Sequence, residues 1–221
     1  MNERRSFAEL AAAPDPPLDA LALALAAQFR DVDVAQAVGQ LDDLGAELAD
    51  AAARAPRTPL AEAQACAELL GATHGFAGDS EQYDHPDNSM LDLVLARRRG
   101  LPILLSVVYV ETARRAAIPL AGVGLPGHFV VGHFGVAPPL LLDPFAGGGV
   151  VQGDVTREGL RPWSAHEIAL RMLNNLVAAY QRRADLCAAI RGAELRLALP
   201  LQAPLRPNLE AELLALRARL N

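Results

Sequence analysis

The sequence predicts an α+β protein, helical at both ends with a short antiparallel sheet between, packed on one buried helix. Three observations carry that prediction. Apolar residues recur at helical spacing through the first seventy or so residues and again after Trp163. The run LPILLSVVYV, residues 101–110, has apolar groups all round, as a helix at the centre of a core requires. From Leu120 to Gln152, glycine and β-branched residues take over and read as strands.

Taken in order, Ser6 caps a short helix over residues 7–12, and the proline-rich stretch at 14–17 breaks the chain. Residues 18–29 are apolar on nearly every side and predict a deeply buried helix. Asp31 and Asp33 cap the next, over 34–53, in which Val34, Val38, Leu41, Leu44 and Leu48 share one face. Thr58-Pro59 opens another helix, and Gly71 is expected to stop it. Residues 74–88, HGFAGDSEQYDHPDN, are turn chemistry and predict a solvated loop; they lack the central glycine and closing glutamate of a calcium loop. Ser89 is expected to cap a helix over 90–99, whose last turn carries Arg97, Arg98 and Arg99 before Gly100. Pro102 suits the first turn of the central helix, which runs to about Ala116. Strands are expected over 120–125, 128–134 and 140–145, with a fourth over 147–152. Three helices follow, over 165–183, 186–199 and 209–220, the first two capped by Ser164 and Asp185. The expected division is an N-terminal helical region (1–57), a core (58–160) and a C-terminal helical segment packed on it (161–221).

The length of 221 residues suits one sizeable core. With 52% hydrophobic and 21% charged residues the chain is globular, not disordered. Net charge is −6 and all 20 basic residues are arginine, so no global basic field draws nucleic acid or anionic lipid. The N-terminus lacks the apolar segment of a secretory signal, and the most apolar run is too short for a membrane span, which needs about 20 residues. Cys66 and Cys187 fit neither a metal spacing nor a disulfide framework, and no histidine pair has metal-ligand spacing. These features predict a reduced, cytoplasmic protein without metal or cofactor.

Chemistry concentrates on the predicted hairpin. A two-residue turn at Gly135-Val136 sets His128 directly opposite Asp143, with Cβ atoms about 4.5–5.5 Å apart. A carboxylate beside an imidazole is the base-plus-orienter half of a catalytic triad. The same pair also reads as a buried hydrogen bond without chemistry. His133, out of phase with His128, points to the other face.

The motifs Gly75-Phe76, Pro86-Asp87-Asn88-Ser89, Arg98-Arg99-Gly100-Leu101-Pro102, Leu125-Pro126-Gly127-His128-Phe129 and Leu142-Asp143-Pro144-Phe145 extend this reading. In this order and spacing, the chain resembles the SirB-type branch of the transglutaminase-like superfamily over about residues 60–155, with C-terminal helices similar to that branch's tetratricopeptide-like tail. The resemblance implies a papain-like core, a central helix on an antiparallel sheet, and a Cys-His-Asp triad in active members. It assigns the histidine position to His128 and the aspartate position to Asp143. Active members carry Gly-x-Cys at the start of the central helix, where the helix dipole lowers the thiol pKa. This chain reads Gly100-Leu101-Pro102, with proline at the nucleophile position.

The expected function is therefore a non-catalytic binding, scaffold or regulatory module for a protein or peptide, with Asn88, Ser89, Pro102, Tyr109 and Gly127 lining the cleft. The alternative is a hydrolase or acyl-transfer enzyme acting on an amide or peptide. It would use a His128-activated water or Ser106, one helical turn below Pro102 on the same face. A third reading makes the C-terminal helices a protein-interaction adaptor. No oligomeric state is implied.

Overall fold

The first helix of the chain, α1 (Phe7–Ala12), is closed by a capping box in which Ser6 and Glu9 satisfy each other's backbone N–H groups. The computed structural model describes residues 5–151 and 160–220. Helices α2 (Leu18–Ala26), α3 (Val34–Arg54) and α4 (Pro59–Cys66) follow, with Asp33 and Thr58 capping the latter two. Instead of stopping at Gly71, the chain runs on from α4 through a π-helical turn, Ala67–Thr73. Gly71 is there for close approach: a Cβ on it would lie 1.9 Å from the carbonyl oxygen of Gly147.

The acidic loop holds more order than its composition suggests. Strand β1 (Ala77–Gly78) pairs in parallel with β2 (Arg99–Gly100), and Arg97 reaches back to Asp79 at 3.3 Å and Asp87 at 3.5 Å. Ser89 does not cap the next helix. It belongs to a 3₁₀ turn, Pro86–Ser89, and α5 (Leu91–Arg97) begins at Met90 without a side-chain cap.

Helix α6 (Pro102–Arg115) is the centre of the molecule. Leu104, Leu105, Val107, Val108 and Tyr109 are wholly buried, each aliphatic one contributing about 1.5–3 kcal/mol. Against it lies an antiparallel sheet in the order β3 (Leu120–Leu125), β4 (His128–His133), β5 (Leu140–Asp143), β6 (Gly149–Val150). This is the mixed architecture expected, a central helix on an antiparallel sheet with helical flanks. Of the strand expected over 147–152, Gln152 lies outside the described residues.

The expected hairpin register needs correction. Val131 pairs with Leu142 and His133 with Leu140, so residues 134–139 form the connection rather than a two-residue turn. Pro138 and Pro139, which cannot donate ladder bonds, keep that segment out of the sheet. Continuing the observed register sets Asp143 across from Val130, two residues from His128.

The chain closes with α7 (Ala165–Arg182), α8 (Leu186–Leu197) and α9 (Arg206–Ala218). A single hydrophobic cluster includes Leu10, Leu41, Leu104, Val131, Leu173 and Leu199, running from α1 to just past α8, while Leu213 and Leu216 of α9 belong to a smaller separate cluster. Among the described residues no helix is long and apolar enough to cross a membrane.

Candidate functional site

Strands β3 and β4 meet through two residues only: Leu125 pairs with His128, and Pro126-Gly127 makes the turn. Proline presets the first corner, and Gly127 at φ 70° supplies the left-handed second one. His128 is thereby fixed as the first residue of β4.

Its Nε2 lies 3.0 Å from Asp143 Oδ2. The pair survives the changed register because a two-residue offset keeps every side chain on its own face, and diagonal neighbours remain within reach of long side chains. Asp143 ends β5 and caps the 3₁₀ turn Pro144–Ala146, its Oδ1 accepting from the N–H groups of Phe145 (3.0 Å) and Ala146 (3.4 Å). One carboxylate oxygen is thus held by backbone and the other by the imidazole. A carboxylate only accepts, so Nε2 is the donor and Nδ1 is the acceptor nitrogen of the neutral ring. Phe145 stands edge-on to the His128 ring (centroids 6.4 Å, 88°), and Tyr83 is 5.9 Å from the Phe145 ring.

Against His128 lies a cavity of about 30 Å³, room for one water, whose wall includes Pro102, Ile103, Gly127, Arg171 and Asn175. The start of α6 and the start of β4 therefore meet here. Pro102 is the first residue of α6, buried, and carries no nucleophilic atom.

Other predicted site residues lie elsewhere. Ser106 is 1% exposed, does not line this cavity, and its hydroxyl donates to the Pro102 carbonyl at 2.8 Å. Asn88 and Tyr109 are fully buried and do not line it either. Asn88 donates to the Gln82 carbonyl at 2.7 Å, while the Tyr109 hydroxyl has no hydrogen-bond partner among the described residues. Ser89 lines a separate cavity of about 230 Å³ with Tyr83, His85 and Arg182. His133, on the opposite face of β4, is 1% exposed and bonds Glu62 at 2.8 Å. Cys66 is buried, its thiol pushed up to about 12 by burial and, secondarily, by Glu62; Cys187 is exposed on α8.

One neighbour of His128 escaped the sequence reading. Arg171 of α7 donates from Nη2 to the His128 carbonyl at 3.1 Å, and its guanidinium lies over the rings of Phe129 (5.6 Å) and Trp163 (5.8 Å). The only signal for it in the sequence is an arginine set within the otherwise apolar turn Ile168-Ala169-Leu170-Arg171-Met172.

Residues 35–178 match the family model described as Transglutaminase-like superfamily. The chain is also similar to a UPF0162 protein of Xylella fastidiosa, 43% identical over 94 residues that make 42% of this chain and 34% of that one. A UPF0162 protein of Pseudomonas aeruginosa is 35% identical over 136 residues, 59% of this chain and 48% of the relative. Human F-box only protein 21 shares 38% identity over 56 residues, 25% of this chain and 9% of its own length. The match thus spans about a quarter to a half of the length of the bacterial relatives. No solved structure matches.

Proposed function

This chain belongs to the transglutaminase-like superfamily, and on that premise we propose that it is a member without thiol catalysis, a cytoplasmic module that binds a peptide or amide group beside His128. The observation that carries this reading is Pro102, which shares the His128 cavity at the helix start where active members are expected to carry their cysteine. Neither cysteine supplies a substitute: one is buried with a raised pKa and the other sits on α8. The ordered motifs from Gly75 to Phe145 support placement in the SirB-type branch, and the α7–α8 hairpin supports a tetratricopeptide-like tail. The intact His128–Asp143 pair suits recognition, since the Nδ1 acceptor left by that bond is matched to an amide N–H.

A second reading rests on the one-water cavity. A water there, deprotonated by His128, is the nucleophile a hydrolase without cysteine needs. Ser106 is the weaker candidate because its hydroxyl is engaged by the helix.

The deciding experiment follows an acetylated peptide amide by calorimetry and by product analysis, in the native chain and in His128→Ala. The binding reading expects tenfold or greater weakening with no turnover in either protein. Turnover that disappears in His128→Ala establishes the hydrolase instead.

A further inference from the structure

Three arginines among the described residues are drawn out of full exposure: Arg115, Arg171 and Arg196. Arg115 is met by Asp19, Glu111 and Asp42, and Arg196 by Glu212. Among the described residues Arg171 has no carboxylate partner. Its guanidinium lies over both the Phe129 and Trp163 rings, which meet edge-to-face at 5.3 Å, and among the described residues one of its five N–H donors is used, on the His128 carbonyl. Burial costs this cation solvation, so its pKa is drawn down. A guanidinium stacked, oriented and without a carboxylate among the described residues is suited to receive an anion.

The space in front of it is of ligand size. A groove of about 680 Å³ runs along α7, its wall including Trp163, Leu170, Arg171, Asn175, Leu201 and Leu205. Arg171 and Asn175 also line the His128 cavity, so the two spaces share a wall. The one carboxylate on the groove among the described residues, Glu167, does not compete for Arg171. It is engaged by Arg161 at 2.5 and 2.9 Å and by the Ser164 backbone N–H at 2.9 Å. Asn175 makes no side-chain hydrogen bond among the described residues and remains available beside it.

We propose that this groove takes the carboxylate of a short apolar peptide, received by the Arg171 fork, with Asn175 alongside. Charge and shape select this class. A single planar guanidinium matches one monovalent carboxylate, whereas a phosphate dianion or polyanion calls for several cations, in a chain whose net charge is −6. The leucines and Trp163 supply contact for apolar side chains next to the acid.

The inference rests on the binding reading above, and one titration tests the two separately. N-acetyl-leucyl-leucine, its C-terminal amide, and N-acetyl-leucyl-glutamic acid α-amide are added to the labelled chain. The Arg171 Nε–H and His128 ring resonances are followed by NMR. A saturable Arg171 shift with the free acid, at least tenfold weaker with the leucyl-leucine amide, is the expected result, and calorimetry is expected to show the acid binding Arg171→Gln at least tenfold more weakly than the native chain. The glutamyl probe reports whether a side-chain acid serves as well as a chain terminus. Equal response to acid and amide, no saturable shift, or an indifferent Arg171→Gln overturns the proposal. If Arg171→Gln does not fold, the acid–amide comparison in the native chain decides alone. An amide that moves His128 but not Arg171 overturns this subsite while keeping the binding reading. An acid that moves Arg171, with no probe moving His128, does the reverse.

Discussion

Tyr109 is the bulkiest fully buried side chain, and its hydroxyl is closed off with no hydrogen-bond partner among the described residues. Burial, followed by the nearby Cys66 and Asp143, pushes its pKa up. Gly148, at φ 85°, lets the neighbouring loop pass: a Cβ there would lie 2.4 Å from the Tyr109 oxygen. A buried hydroxyl left unpaired costs about 1–3 kcal/mol, whereas the ring itself is well packed. Tyr109→Phe is therefore expected to raise stability by about 1 kcal/mol, read as a higher midpoint in urea with an unchanged slope. A lowered midpoint would show that the hydroxyl is used. At this scale the sequence was informative about facing and silent about depth. His128 and Asp143 were legible as a pair because face parity is indifferent to a two-residue change of register. Tyr109 lies two turns from Pro102 on the same side of α6, but about 10 Å along its axis, and that distance separates a cavity wall from the interior.

Between elements, α3 crosses close over α6 at Gly45. A Cβ on Gly45 would stand 2.4 Å from the Arg115 Cβ. Arg115 has nowhere to go, since its guanidinium is held by Asp42 at 2.6 Å, Asp19 at 2.7 Å and Glu111 at 2.8 Å. Glu111, 1% exposed, has its pKa raised by burial and then by Asp19, so the arginine is what makes its charge tolerable there. Alanine in a helix gains about 1 kcal/mol over glycine, but overpacking a fixed contact costs about 1–3 kcal/mol. Gly45→Ala is thus expected to lose about 1 kcal/mol net, measured by thermal melting; a gain would mean that the crossing relaxes freely. Element boundaries marked by caps and prolines were legible to within a few residues, as at Ser6, Asp33, Thr58, Pro102, Ser164 and Asp185. Features set by tertiary approach were not. Gly71 carries the composition of a helix stop, yet the nearby Gly147 carbonyl is what calls for a residue without a side chain. The pairing of β1 with β2 joins two-residue segments too short for any period to register.

For the molecule as a whole, the question is whether the C-terminal helices are an appendage or part of the fold. Composition suggested a division at residue 160, and helical periodicity shows only that each later helix has an apolar face, not what covers it. The structure pairs α7 with the same cluster that holds α2, α5 and α6: Ile168, Met172, Leu173 and Leu176 are at most 2% exposed within it. At about 1.5–3 kcal/mol for each buried large aliphatic side chain, these four account for about 6–12 kcal/mol. That is comparable with the whole net stability of an ordinary domain, about 5–15 kcal/mol. Arg171 adds its hydrogen bond to the His128 carbonyl and its stacking on Phe129, so α7 also braces the strand that presents the site. A chain ending at residue 160 is accordingly expected to be insoluble or to lack a cooperative thermal transition. A chain ending at residue 205, which keeps α7 and α8 and loses only α9, is expected to fold with reduced stability, because α9 packs mainly through Leu213 and Leu216 in a separate small cluster with Val177 and Ala193. Size-exclusion chromatography and melting of the two truncations measure this directly. A soluble, cooperatively unfolding 1–160 fragment would make the helices an independent adaptor and leave His128 without the α7 wall on which a shared binding site depends.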